Sequence, residues 1–249
     1  MEIKDYITLT ISTLAFIASI ISTKIAVNSQ KKQIRTTIRD QLSSVVKELI
    51  TTLADNSVLQ SQPIQDRDTF FYSKSSSFSQ KISLLARQAY SLIELEPKIA
   101  FDVEFWTVAQ ALQIIGDTSQ ADNYYRQAIQ VSPSDYYKTN NIRGYAQFLF
   151  SLGKHQQGRK LFQEALEILD DNCDNNKAVN GYTYEMWFVT EASSFPSPYG
   201  MAEECYKNSK MLFESMSDSG YKSNCLQSLE ATRSGSPLAK SLSTSQSNV

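Results

Sequence analysis

The sequence predicts an all-α protein, and three observations lead to that prediction. Only 8 glycines and 6 prolines occur among 249 residues, so the chain has few of the residues that the tight turns of a β fold need. Beyond about residue 30, large apolar side chains recur at steps of three and four, the spacing of amphipathic helices. Before that point an uncharged, largely apolar run covers residues 6–23. The predicted fold class is therefore all-α, with an N-terminal single transmembrane helix followed by an α-solenoid of helix pairs.

Composition and charge narrow the class of protein. Hydrophobic residues make up 41% of the chain and charged residues 20%, which is typical of a globular protein rather than of a disordered one. The formal net charge of -2 argues against non-specific binding to nucleic acid, because that binding needs a basic surface. The cysteines Cys173, Cys205 and Cys225 are far apart and form no C-x-x-C pair, so we expect free thiols rather than a zinc or redox site.

The N-terminal apolar run predicts a transmembrane anchor over residues 6–27. As a helix, its uncharged part is roughly 27 Å long, close to the hydrocarbon thickness of a bilayer. Two other interpretations stay open: a cleaved signal peptide, which would need a basic start and a small-x-small cleavage site, and a core helix, which would be apolar on one face only. Basic residues follow the run more than they precede it, so the positive-inside rule predicts a single-pass membrane protein with its soluble domain in the cytoplasm. These basic residues are Lys24, Lys31, Lys32, Arg35 and Arg39.

The chain after the anchor divides into four further segments. Residues 29–54 predict an amphipathic juxtamembrane helix, whereas residues 55–77 lose the helical period and collect Ser, Asp and Pro, which indicates a loop or linker. Residues 78–232 show nearly unbroken helical patterning, interrupted by Pro97, and predict a helical-repeat domain. Residues 233–249 are Ser-rich and predict a disordered tail. The apolar positions of the juxtamembrane helix are Ile34, Ile38, Leu42, Val45, Leu49 and Leu53.

One spacing of large and small residues recurs within the helical-repeat domain, most clearly over residues 102–135 and 139–172 and more weakly over 183–216. The first copy consists of Phe105, Val108-Ala109, Leu112, the turn Gly116-Asp117, then Ala121, Tyr125, Ala128 and Pro133. The second consists of Ile142, Tyr145-Ala146, Leu149, the turn Gly153-Lys154, then Gly158, Phe162 and Ala165. The third consists of Met186, Val189-Thr190, Ser193, a turn over 195–200, then Ala202, Tyr206 and Ser209.

This spacing resembles the tetratricopeptide repeat (TPR), a family of helix pairs of about 34 residues that stack into a solenoid. The resemblance implies that the first helix of each pair lines a concave groove, which holds a helix or extended peptide of a partner. Carried over by position, the groove residues are Trp106, Gln110, Gln113, Arg143, Gln147 and Phe150. The TPR subset that clamps a C-terminal carboxylate uses Lys and Asn where this chain has Trp106 and Gln110, so we expect no such clamp. A core position for Trp106 and Phe150 stays open as the alternative.

No group of residues predicts catalysis. His155 is the only histidine and lies in a Gly-Lys-His turn, with no motif around it that would complete a catalytic triad. We therefore expect that the protein is not an enzyme and that it has no cofactor and no metal site. The expected function is that of a membrane-anchored scaffold that binds a partner protein or peptide in its concave groove, and not nucleic acid. Two alternatives stay open: a structural or assembly protein that forms a homo-oligomer through the juxtamembrane helix, and an accessory subunit of a membrane complex.

Overall fold

The computed structural model describes the backbone of residues 3–194 and 199–235, and the side chains of residues 16, 18–194 and 200–235. Within these residues it contains nine α-helices, two short 3-10 turns and no strand, which confirms the all-α prediction. The tail predicted over 233–249 falls outside the described residues from residue 236 on. The helices are α1 (Ile3–Gln60), α2 (Thr69–Leu95), α3 (Asp102–Ile114), α4 (Thr118–Gln130), α5 (Asp135–Ser151), α6 (His155–Leu166), α7 (Asp174–Ser193), α8 (Tyr199–Glu214) and α9 (Ser219–Gly235).

The chain divides into two compact units, with the boundary directly after Ala100. Unit 1 is a hairpin of α1 and α2. Arg35 forms a two-pronged ion pair with Glu96, at 3.0 and 2.9 Å, and Glu48 pairs with Lys81 at 2.9 Å. Because Arg35 meets the end of α2 and Glu48 meets its middle, the two helices are antiparallel. The hairpin core consists of Leu42, Val46, Leu49, Ile82, Leu85, Ala86, Ala89 and Ile93.

The connection between α1 and α2 is shorter than the predicted loop of residues 55–77. Helix α1 continues to Gln60, and α2 begins at Thr69. The Asp68 carboxylate accepts a hydrogen bond from the Phe71 N–H at 2.8 Å, which caps the start of α2, and the Phe71 ring is buried. The prediction of a loop over 55–77 is corrected accordingly. Most serines of this segment lie on the exposed side of α2. They make the helical spacing of apolar residues hard to recognise in the sequence, but they do not end the helix.

The predicted anchor over residues 6–27 is part of α1. Among the residues that the structure describes, no helix is both long enough and apolar enough to cross a membrane. Within residues 18–27, Ser19, Ser22 and Thr23 interrupt the apolar side chains and Lys24 carries a charge, and polar residues follow from Asn28. This finding corrects the predicted transmembrane anchor, and with it the predicted single-pass membrane location with a cytoplasmic soluble domain.

Unit 2 is a series of helical hairpins, α3–α4, α5–α6 and α7–α8, followed by α9. The first two hairpins turn in the same way, because Gly116 and Gly153 both adopt the left-handed region, with φ of 85° and 73°. In both turns, the N–H of the residue after the glycine donates to a carbonyl near the end of the preceding helix, at 2.9 Å. Helix α3 contacts α5, α5 contacts α7, and α7 contacts α9, so the hairpins stack in a solenoid-like series.

Small and aromatic residues fill the hairpin interiors at the positions that the repeated spacing singles out. Ala109, Ala121 and Ala146 have no exposed surface, which lets neighbouring helices approach closely. Tyr125 and Phe162 are also buried and fill the remaining space between helices. The spacing therefore identifies the buried face of these helices and does not by itself identify a protein family.

The third hairpin contains a polar residue at a packed position. Ala202, Tyr206 and Ser209 are all buried. The Ser209 hydroxyl donates to the Gly181 carbonyl at 2.9 Å, so the polar group is satisfied inside the hairpin. The turn predicted over 195–200 lies largely outside the described residues.

Candidate partner-binding face

We call the surface formed by α3, α5 and α7 the first-helix face. Trp106 and Gln110 are one turn apart on α3, and Arg143 and Gln147 are one turn apart on α5, so each pair occupies one stripe of its helix. All four side chains are half-buried. The structure therefore places these four predicted groove residues where a partner can reach part of each.

Gly144 positions the Trp106 indole on this face. A Cβ built on Gly144 would lie 2.5 Å from Trp106 Nε1, so only a glycine lets the ring edge approach α5 this closely. The indole N–H has no acceptor within the described part of the chain. Trp106 thus lies at the junction of the first two hairpins, and its indole N–H makes no hydrogen bond to the described residues.

Two of the predicted glutamines connect helices. The Tyr125 hydroxyl donates to Gln113 Oε1 at 3.0 Å, and Gln113 Nε2 donates to Ser151 Oγ at 3.3 Å, so Gln113 ties α3 to both α4 and α5. Gln147 Nε2 donates to Thr190 Oγ1 at 3.5 Å, a weak bond from α5 to α7. Gln113 therefore belongs to the packing of the hairpins, whereas Gln147 keeps most of its capacity for hydrogen bonds.

Phe150 lies in the core and not on the first-helix face. It is only 5% exposed, and its ring occupies the space that a Cβ on Gly158 would fill. Its centroid is 5.2 Å from that of His155 and 6.1 Å from that of Phe162. The core position left open in the sequence analysis is thus the observed one for Phe150. It also explains why a glycine stands where the TPR pattern has alanine.

Arg143 is held by neutral groups alone. Its Nη2 donates to Asn140 Oδ1, its Nη1 donates weakly to the Val179 carbonyl at 3.5 Å, and its buried Nε has no partner among the described residues. Burial lowers the pKa of Arg143, while Tyr136 and Glu185 nearby act to raise it. The guanidinium therefore stays short of counter-charge.

Glu185, on α7, is a neighbour of Arg143 that the sequence analysis missed. It is 8% exposed, and its Oε1 accepts a hydrogen bond from the Thr232 hydroxyl at 2.6 Å, whereas its Oε2 has no partner within the described residues. Burial raises the pKa of Glu185, against the lowering effects of the Thr232 and Ser228 hydroxyls and of Arg143. No local motif marked this residue, because its importance comes from helices that are distant in sequence.

Two further reactive groups, His155 and Cys205, support packing. His155 stacks on the Phe150 ring, and burial raises the pKa of the Cys205 thiol to about 12, so that thiol is a poor nucleophile. Within the described residues, no three His, Cys, Asp or Glu side chains are grouped to hold a metal ion.

No family model, curated protein or solved structure matches this chain.

Proposed function

We propose that unit 2 is a TPR-like protein-binding module, and that its first-helix face holds a segment of a partner protein. The observation that carries this proposal is the Trp106 indole, held on Gly144 between two hairpins and only half-buried. Tryptophan, tyrosine and arginine are the residue types enriched among the side chains that contribute most binding energy at protein interfaces. Arg143 follows on the adjacent helix, next to Gly144 in the chain.

The polar residues around Trp106 suit a polypeptide ligand. Gln110 and Gln147 each carry both a donor and an acceptor, so they can hydrogen-bond the N–H and C=O groups of an extended main chain. The solenoid-like stacking of the hairpins supports the same interpretation, because it forms a continuous face from several helices.

The alternative of self-association through residues 29–54 is less favoured by the structure. Leu42 and Leu49, two of the side chains that such an interface would use, have no exposed surface because α2 already covers them. Val46 is likewise only 4% exposed. Of the other predicted side chains, Ile34 is 52% exposed and Ile38, Val45 and Leu53 are half-buried, so only part of this face is accessible while the hairpin is closed.

The test is selection of peptides from a displayed random library by the whole 249-residue chain. We expect the wild type to enrich a consistent sequence and both Trp106→Ala and Gly144→Ala to weaken its binding, since alanine at 144 displaces the indole without removing it. Phe70→Ala, which removes an aromatic ring that is 70% exposed in unit 1, is the matched control and should bind normally. Failure of the wild type to enrich any sequence would overturn the proposal.

A further inference from the structure

Arg143 differs from the other arginines in the described part of unit 2. Each of the others is paired with a carboxylate, which is the usual way to neutralise a guanidinium in a folded protein. Arg143 has no carboxylate within ion-pair distance, and it is the one that lies on the first-helix face. The three pairs are Arg126–Asp122 at 2.9 Å, Arg159–Glu191 at 2.6 Å and Arg233–Glu203 at 3.4 Å.

Glu185 is the carboxylate that raises the pKa of Arg143, but it forms no ion pair with it. Glu185 turns its Oε1 to the Thr232 hydroxyl of α9 at 2.6 Å and makes no ion pair with Arg143. A half-buried guanidinium that meets only amide and carbonyl oxygens has lost part of its hydration without gaining a counter-charge. An anion that reaches Arg143 from outside can therefore form the ion pair that this guanidinium lacks within the described residues.

The surroundings of Arg143 indicate the shape of the ligand. Tyr136 and Gln147 lie two turns before and one turn after Arg143, so the three side chains share one stripe of α5. Tyr136 is 51% exposed, and Trp106 lies against the neighbouring Gly144. The positive charge is thus flanked by aromatic surface on a continuous strip, which fits an extended chain better than a small ion.

We propose that the first-helix face is selective for an acidic segment, and that an internal Asp or Glu side chain of the ligand pairs with Arg143 while a neighbouring apolar residue packs on Trp106. This inference rests on the proposed function and names its ligand class. A single carboxylate matches the single unpaired guanidinium. A phosphate carries up to about two negative charges and would be repelled more strongly by Glu185.

The experiment uses the whole 249-residue chain and the peptide family that it enriches from the random library. We expect Asp or Glu at one position, next to an aromatic or aliphatic residue. Four synthetic peptides, identical except at that position or at the end, then separate the sources of negative charge. They are the acidic peptide with an amidated C-terminus, its Gln or Asn counterpart amidated, the same counterpart with a free C-terminus, and a phosphoserine counterpart amidated.

The amidated acidic peptide should bind the wild type at least about tenfold more tightly than each of the other three. Arg143→Gln should abolish this difference, and Arg143→Lys should retain part of it. Arg126→Gln is the matched control, because it removes a guanidinium that is already paired with Asp122, and it should leave the difference intact. Normal melting temperatures establish that the variants are folded.

Each other outcome has a distinct meaning. Enriched peptides that depend on Trp106 but show no acidic preference would overturn this inference and leave the proposed function standing. Preference for the free C-terminus or for phosphoserine, or an acidic preference that survives Arg143→Gln, would overturn it as well. If the wild type enriches no peptide, the proposed function fails and this inference fails with it.

Discussion

Replacing Arg159 by alanine is expected to cost unit 2 about 3 to 5 kcal/mol of its free energy of unfolding. Arg159 Nε donates to Glu191 Oε1 at 2.6 Å and its Nη2 donates to Oε2 at 2.9 Å, while the Trp187 indole N–H donates to Oε1 at 3.0 Å. Glu191 has no exposed side-chain surface. The variant therefore leaves a fully buried carboxylate without this guanidinium, which costs far more than the loss of a surface pair.

The matched control is Arg126→Ala. Arg126 forms the same kind of two-residue ion pair, but its side chain is 63% exposed and that of Asp122 is 30% exposed, so water screens both charges. Removing it should cost at most about 1 kcal/mol. The double variant Arg159→Met with Glu191→Gln should recover at least half of the loss, because it removes the buried charge and keeps an acceptor for Trp187.

Urea denaturation followed by tryptophan fluorescence is the assay. Both tryptophans, Trp106 and Trp187, lie in unit 2, so the signal reports the unfolding of that unit. Linear extrapolation gives the free energy of unfolding for each variant, provided that the slopes agree. An Arg159→Ala loss no larger than that of Arg126→Ala would refute the reasoning that the Arg159–Glu191 pair is a buried, coupled element of the core.

Three further predictions concern charge and packing. Glu185→Gln should stabilise unit 2 at neutral pH, because the pKa of Glu185 is raised in the folded protein. The gain in free energy of unfolding should shrink as the pH falls through that raised pKa and be absent below the ordinary pKa range of glutamate. Urea titrations at a series of pH values measure this gain. Asp174→Asn should lower the melting temperature at neutral pH, because the backbone N–H groups of Ser217 and Asp218 hold the pKa of Asp174 low. The difference in melting temperature between variant and wild type should vanish as the pH falls through that lowered pKa. Ala121→Asp should lose several kcal/mol, because it buries a charge at a position with no exposed surface, whereas Gln110→Ala should barely change the melting temperature.

The part of the fold that could be predicted from sequence is the part that depends on local spacing. The small residues Ala109, Ala121 and Ala146 identify the packed faces, because close helix contacts tolerate little else there. The turn glycines Gly116 and Gly153 mark the helix ends, because the left-handed backbone at those positions strains other residues. Each of these signals is a residue type at a fixed position of a helix or turn, so it can be recognised from the sequence without knowing the tertiary contacts.

The errors came from features that depend on contacts between helices rather than on the spacing within one helix. Phe150 has the spacing of a groove residue, yet Gly158 leaves room for its ring in the core. Glu185 has no motif, and its position between Arg143 and Thr232 requires three helices to be assembled first. The predicted loop over 55–77 failed for a related reason, since its serines lie on the solvent side of a helix that Phe71 anchors.

Binding of a partner segment at Trp106 on the first-helix face can be measured by fluorine NMR of the chain labelled with fluorotryptophan. The two tryptophans give separate signals, and Trp106→Phe assigns them. Trp187, only 5% exposed in the core, serves as the internal reference. Titration with the enriched peptide is expected to shift the Trp106 resonance and leave that of Trp187 in place. A peptide that binds without moving the Trp106 resonance would show that the binding site lies elsewhere on the chain.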